Sequence, residues 1–152
     1  MALETVLLTV GTNAGGRVTE LTNAVLDVAG PTGSSVVLLH VFSDDGFDEA
    51  LERLDYDSSN PPSPDRVAAR LGVVRTITDA FADAGIEYEI RGTVGDRAES
   101  ILATADRCGA DMVFVGGRKR SPTGKAVFGS TAQQVMLNAP CPVTFVRQGI
   151  EP

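Results

Sequence analysis

Apolar residues fall into two alternating patterns along this chain, short unbroken runs and stripes at helical spacing. Val6–Val10 is a short, almost wholly apolar run, as a strand buried on both faces requires. The loop Gly11–Gly16 leads into a helix with Val18, Leu21, Val25 and Val28 on one face, and Gly30-Pro31 is expected to stop it. Val36–Phe42 reads as a second buried strand. Ser43–Pro64 reads as acidic and irregular, with one short amphipathic turn carrying Phe47, Leu51 and Leu54. Its Ser58–Pro64 stretch, SSNPPSP, is a turn-rich connector. Ser63-Pro64 then opens a long helix with Val67, Leu71, Val74, Thr78 and Phe81 on one stripe, ended by Gly85.

In Ile86–Arg91 the apolar residues Ile86, Tyr88 and Ile90 alternate with Glu87, Glu89 and Arg91, which predicts an edge strand with one wet face. Asp96 can cap the following helix, and Glu99 completes a capping box. Ile101, Ala105 and Cys108 line that helix's buried side, and Gly109 ends it. Met112–Val115 is a fourth strand and Ser130–Asn138 a last helix, where Ser130 and Gln133 fit a second capping box. Pro140–Pro142 breaks that helix, and Val143–Val146 is a fifth strand. Five strands alternating with helices imply an α/β fold, one doubly wound domain spanning residues 1–152, with helices on both faces of a parallel sheet. Ligands of such sheets sit beyond the carboxyl ends of the strands where the strand order reverses. The loops after Val10 and Val115 are therefore the expected site.

Composition narrows the classes. A hydrophobic content of 43% suits a globular chain, and no apolar run approaches a membrane span. The N-terminus lacks the pattern of a secretory signal, so a cytoplasmic protein with free thiols at Cys108 and Cys141 is expected. A net charge of −7 argues against nucleic acid or an anionic membrane as a partner. The acidity and the preference for arginine over lysine fit a GC-rich, salt-loving source.

Against that acidic background, Lys119 and Lys125 are the only lysines, and they share one loop with Arg118 and Arg120. Four cations within eight residues stand just before a helix N-terminus, where backbone amides carry partial positive charge and hold phosphate oxygens. Gly116 lets the chain leave the strand sharply, and Gly129-Ser130-Thr131 forms the helix entrance. The alternative is a solvated basic loop in which Ser130 merely caps its helix. A Walker A loop is excluded by spacing. That motif needs four residues between its glycines and a hydroxyl after the lysine. Here six residues separate Gly117 from Gly124, and Ala126 follows Lys125.

The order of elements and the Gly116–Thr131 loop together resemble the universal stress protein family over essentially the whole chain. The resemblance implies an open five-stranded parallel sheet in the order 3-2-1-4-5, with pairing of two copies through the last strand. One branch of the family binds ATP through a loop of the form G-x2-G-x9-G-[ST]. On this sequence Gly116 matches its first glycine, Gly129 its third and Ser130 its final hydroxyl, while Lys119 replaces the second glycine. The aspartate that follows the first strand in ATP-binding relatives is also replaced, by Gly11 in the stretch Val10-Gly11-Thr12-Asn13. Val41 matches an apolar position flanking adenine. The resemblance thus implies an adenine-nucleotide site of Val10, Gly11, Thr12, Val41, Val115, Gly116, Lys119, Arg120, Gly129, Ser130 and Thr131. ATP, ADP or AMP is the expected ligand, with Mg2+ only where the nucleotide carries it.

No general base or metal ligand is recognisable near the phosphates, so at most slow ATP hydrolysis is expected. His40, the single histidine, reads as a packed or hydrogen-bonded strand residue rather than a catalytic one. Cys108 and Cys141 read as structural, and no metal set is visible. The acidic Asp44–Asp57 region reads as a solvated surface. A sparsely charged strand at residues 143–147 would leave a sheet edge open, which pairing into a homodimer would cover. Two other readings stay open. One is a dimeric interaction module whose basic loop meets an acidic partner. The other is a slow adenine nucleotide hydrolase.

Overall fold

A computed structural model describes residues 3–10, 18–57, 59–117 and 129–147. Its elements are β1 (Thr5–Val10), α1 (Val18–Thr32), β2 (Ser35–Phe42), α2 (Asp44–Arg53), α3 (Pro64–Arg70), α4 (Gly72–Asp83), β3 (Tyr88–Val94), α5 (Arg97–Cys108), β4 (Met112–Gly117), α6 (Ser130–Asn138) and β5 (Val143–Arg147). The strands form one sheet in the order β3-β2-β1-β4-β5, every neighbouring pair parallel.

Side-chain alternation along the central strands feeds two separate cores. Val6, Leu8, Val10, Val36, Leu38 and Phe42 point to one face, where α1, α3 and α4 cover them with Leu21, Val25, Val67, Ile77 and Phe81. Leu7, Val37, Leu39, Val41, Val113 and Val115 point to the other, under Ile101 and Ala105 of α5 and Ala132 and Val135 of α6. The continuous apolar runs of β1 and β2 follow from burial on both faces. The carboxylate of Asp111 ties the entry of β4 to that of β1, accepting from the amides of Glu4 (2.9 Å) and Thr5 (3.1 Å). Those two bonds hold its pKa below the usual carboxylate value.

Several boundaries differ from the sequence expectation. α1 runs through Pro31 to Thr32, because a proline in the last turn forfeits only one amide bond. Gly33 stops it instead, with φ +70 and its amide donating to the Ala29 carbonyl at 3.0 Å. The expected irregular segment contains a ten-residue helix, α2, capped by Ser43, whose Oγ accepts from the Gly46 amide at 3.0 Å. The long helix after Pro64 is two helices, since Leu71 adopts an extended conformation (φ −68, ψ 139) and turns the chain between α3 and α4. β3 lies at the sheet edge as expected, though it runs from Tyr88 to Val94 rather than from Ile86 to Arg91. α3 clasps it. The Asp65 carboxylate accepts from the Gly92 amide at 2.7 Å, and Gly92 lies so near the Pro64 carbonyl that a β-carbon would collide with it. Asp96 caps α5 as expected, accepting from the Glu99 amide at 2.9 Å. At α6 the N-cap is Gly129 and Ser130 is already the first helical residue, so the second capping box does not form.

Candidate functional site

β1 connects outward to β2 on one side and borders β4 on the other, so the strand order reverses between β1 and β4. The carboxyl ends of β1, β2 and β4 and the start of α6 therefore frame the expected crevice. Val41 of β2 and Val115 of β4, with β1 between their strands, are both buried in the core under α5 and α6, which also takes in Ala132 from the first turn of α6. They make an apolar floor. Gly116 continues β4 past Val115, in register with Val146 of β5.

The entrance of α6 meets this floor. Gly129 is the N-cap with an extended backbone (φ −66, ψ 158) and has no side chain to bond the first amides. Ser130 is exposed, and Gly129 and Thr131 are half-buried. A nine-residue helix whose first amides have no side-chain acceptor among the described residues leaves donors and positive partial charge for an external anion.

Val10 is divided between the two sides. Its side chain packs in the opposite core, with α1, so it does not share the floor with Val41 and Val115. Its carbonyl accepts from Nδ1 of His40 at 2.9 Å. That bond fixes the ring proton on Nδ1, since a carbonyl can only accept. His40 is 2% exposed and meets Phe42 edge-on, with ring centroids 4.5 Å apart. Burial lowers its pKa below 6.5; the Val10 bond opposes this, and the charge of Arg97 at the start of α5 lowers it further. The imidazole is thus a neutral brace between β1 and β2, as its sequence reading held. Gly11, Thr12, Lys119 and Arg120 lie outside the described residues, as do Arg118 and Lys125.

One residue was missed from sequence. Thr9 is 7% exposed, and its Oγ1 has no hydrogen-bond partner among the described residues. Its signal was a hydroxyl interrupting the apolar run Val6–Val10, which is easily passed over because strands favour threonine. Burial raises the pKa of both Cys108 and Cys141, which suits packed thiols rather than nucleophiles. Among the described residues no group of three or more His, Cys, Asp or Glu is placed to hold a metal. None of the described helices is long and apolar enough to cross a membrane.

An apolar floor, uncapped amides at its rim and an unpartnered hydroxyl beneath suit a ligand with a flat neutral part and an anionic end. Residues 6–147 match the universal stress protein family. A universal stress protein of Mycolicibacterium smegmatis is 39% identical over 80 residues, covering 52% of this chain and 62% of that relative. The chain thus spans about three fifths of that relative's length. The structure of the universal stress protein from Archaeoglobus fulgidus in complex with dAMP is 20% identical, with a TM-score of 0.60, covering 96% of this chain and 99% of that one. A universal stress protein family member from Arabidopsis thaliana with AMP bound is 16% identical, with a TM-score of 0.65 and coverage of 96% and 92%. At these identities the two structures share the fold.

Proposed function

The chain belongs to the universal stress protein family, and we propose that it binds an adenine nucleotide, or another phosphate-bearing anion, at the β1/β4 switch point. The observation that carries the reading is the start of α6. Its N-cap glycine offers the first amides no side-chain acceptor, and its first turn places Ala132 in the same buried cluster as Val41 and Val115. A base lies on the floor and a phosphate meets the amides. The dAMP complex of the Archaeoglobus protein and the AMP complex of the Arabidopsis protein support this choice of ligand class. In sequence, Lys119 and Arg120 fall between Gly116 and Gly129, where their charges would reach the phosphate end. Mg2+ arrives only with a nucleotide that carries it.

The role proposed is that of a cytoplasmic stress-response binding protein rather than a fast enzyme, acting as a homodimer through strand 143–147. Leu137, 77% exposed on the helix that packs beside β5, supplies apolar surface suited to such pairing. Isothermal titration of AMP and ATP against the native chain and a Lys119→Glu/Arg120→Glu variant tests the site. Each charge-assisted bond is worth about 1.5–3 kcal/mol, so the double variant should lose at least about tenfold in affinity. Equal binding by the variant would remove the loop from the site. No binding of either nucleotide by the native chain would leave the interaction-module reading in place.

A further inference from the structure

Among the described residues, one buried side-chain polar atom, Oγ1 of Thr9, is left without a hydrogen-bond partner. Thr9 is the penultimate residue of β1, in register with Leu39 of β2. Leu7 and Leu39 both face the core under α5 and α6. Alternation places the Thr9 side chain on that same face, toward the end where Val41 and Val115 form the floor. Burying a hydroxyl without a partner is unfavourable, and folding here gains nothing visible in return, since a valine would fill the same volume.

We infer that Thr9 Oγ1 hydrogen-bonds the base of the bound nucleotide and sets affinity for the nucleoside half of the ligand. This rests on the nucleotide reading above. A phosphate is the wrong partner at this depth. The neighbours Leu39, Val41 and Val115 are buried and apolar, and a charge among them would lose its hydration without a counter-charge. The anionic end belongs at the amides of α6. A base, by contrast, is neutral and flat, packs on valine side chains and offers donors and acceptors on its edge. A threonine hydroxyl can answer either kind.

The test compares the native chain with Thr9→Val and Thr9→Ser, titrating AMP and ribose 5-phosphate, which keeps the phosphate and sugar but lacks the base. Thr9→Val should bind AMP about tenfold more weakly and ribose 5-phosphate as the native chain does. Thr9→Ser, which keeps the hydroxyl, should stay within about threefold of native for AMP. Native-like AMP binding by Thr9→Val would overturn the inference while leaving the nucleotide reading intact. Equal loss for AMP and ribose 5-phosphate would also overturn it, because the hydroxyl would then not be reading the base. A native chain that binds neither compound would overturn the nucleotide reading itself, and this inference with it.

Discussion

His40 is a titratable group held where protonation is unfavourable, and this gives the chain a pH dependence of definite sign. Its folded pKa lies below 6.5, so the unfolded chain takes up a proton first as the pH falls. Stability from this group is complete above about pH 6.5 and declines as pH drops from there toward the lowered folded value. Thermal melts between pH 7.5 and 5 should show a falling Tm, and a His40→Gln variant should show a flatter profile over the same range. Equal slopes would mean that other groups titrate there. Asp57 and Asp111 are separable, because both sit below 3.8 and act only in stronger acid. Thr9 makes the second prediction at this scale. Thr9→Val replaces an unpartnered hydroxyl with a methyl of the same shape, which should raise the Tm of the ligand-free protein by about 2 °C. A lower Tm would reveal a bond that the hydroxyl makes without ligand. The packed, hydrogen-bonded state of His40 was legible in sequence though its partner was not, and Thr9 was not legible at all: a threonine in an apolar run looks the same whether or not a partner stands across the strand.

Among the elements, α6 is short and weakly terminated, and its start is where stability and binding should conflict. Gly129 has a backbone conformation open to any residue, so Gly129→Asp should supply the missing cap. It should stabilise the protein by a few tenths of a kcal/mol to about 1 kcal/mol. The same carboxylate would face the phosphate, and like charges about 4 Å apart repel by about 4 kcal/mol at an effective dielectric of 20. AMP affinity should therefore fall at least about tenfold while the Tm rises; unchanged affinity would place the phosphate elsewhere. The clasp of α3 on β3 is a packing constraint of another kind. Gly92→Ala would drive a β-carbon into the Pro64 carbonyl and push Asp65 off the Gly92 amide. A loss of about 1–3 kcal/mol in chemical denaturation is expected, without loss of ligand affinity in the folded fraction. Helical stripes and apolar runs announced most elements. The break at Leu71 was hidden because its apolar stripe continues across both α3 and α4, so periodicity could not mark the turn. The end of α1 was misplaced because Gly30-Pro31 looks like a stop signal, although a last turn tolerates both residues.

For the whole molecule, β5 is an edge of the sheet, paired on one side with β4. Edges of this kind attract further strands, and a second copy is the partner proposed here. Sedimentation equilibrium should return twice the 15.9 kDa chain mass at micromolar concentration; a single-chain mass across the range would refute the pairing. The layering was readable in advance because it follows from local geometry. A strand repeats every two residues and a helix every 3.6, so the chain's apolar pattern dictated which residues turn inward and that helices cover both faces of a parallel sheet. The reversal of strand order between β1 and β4 was also foreseeable in outline, since it follows from the alternation of strands and helices along the chain. Only tertiary structure decided the rest. His40 reaches the carbonyl of Val10 thirty residues away, Gly92 meets Pro64, and Thr9 is buried without a partner among the described residues. Each of these depends on where a distant segment comes to rest against the residue, and linear spacing holds no record of that distance.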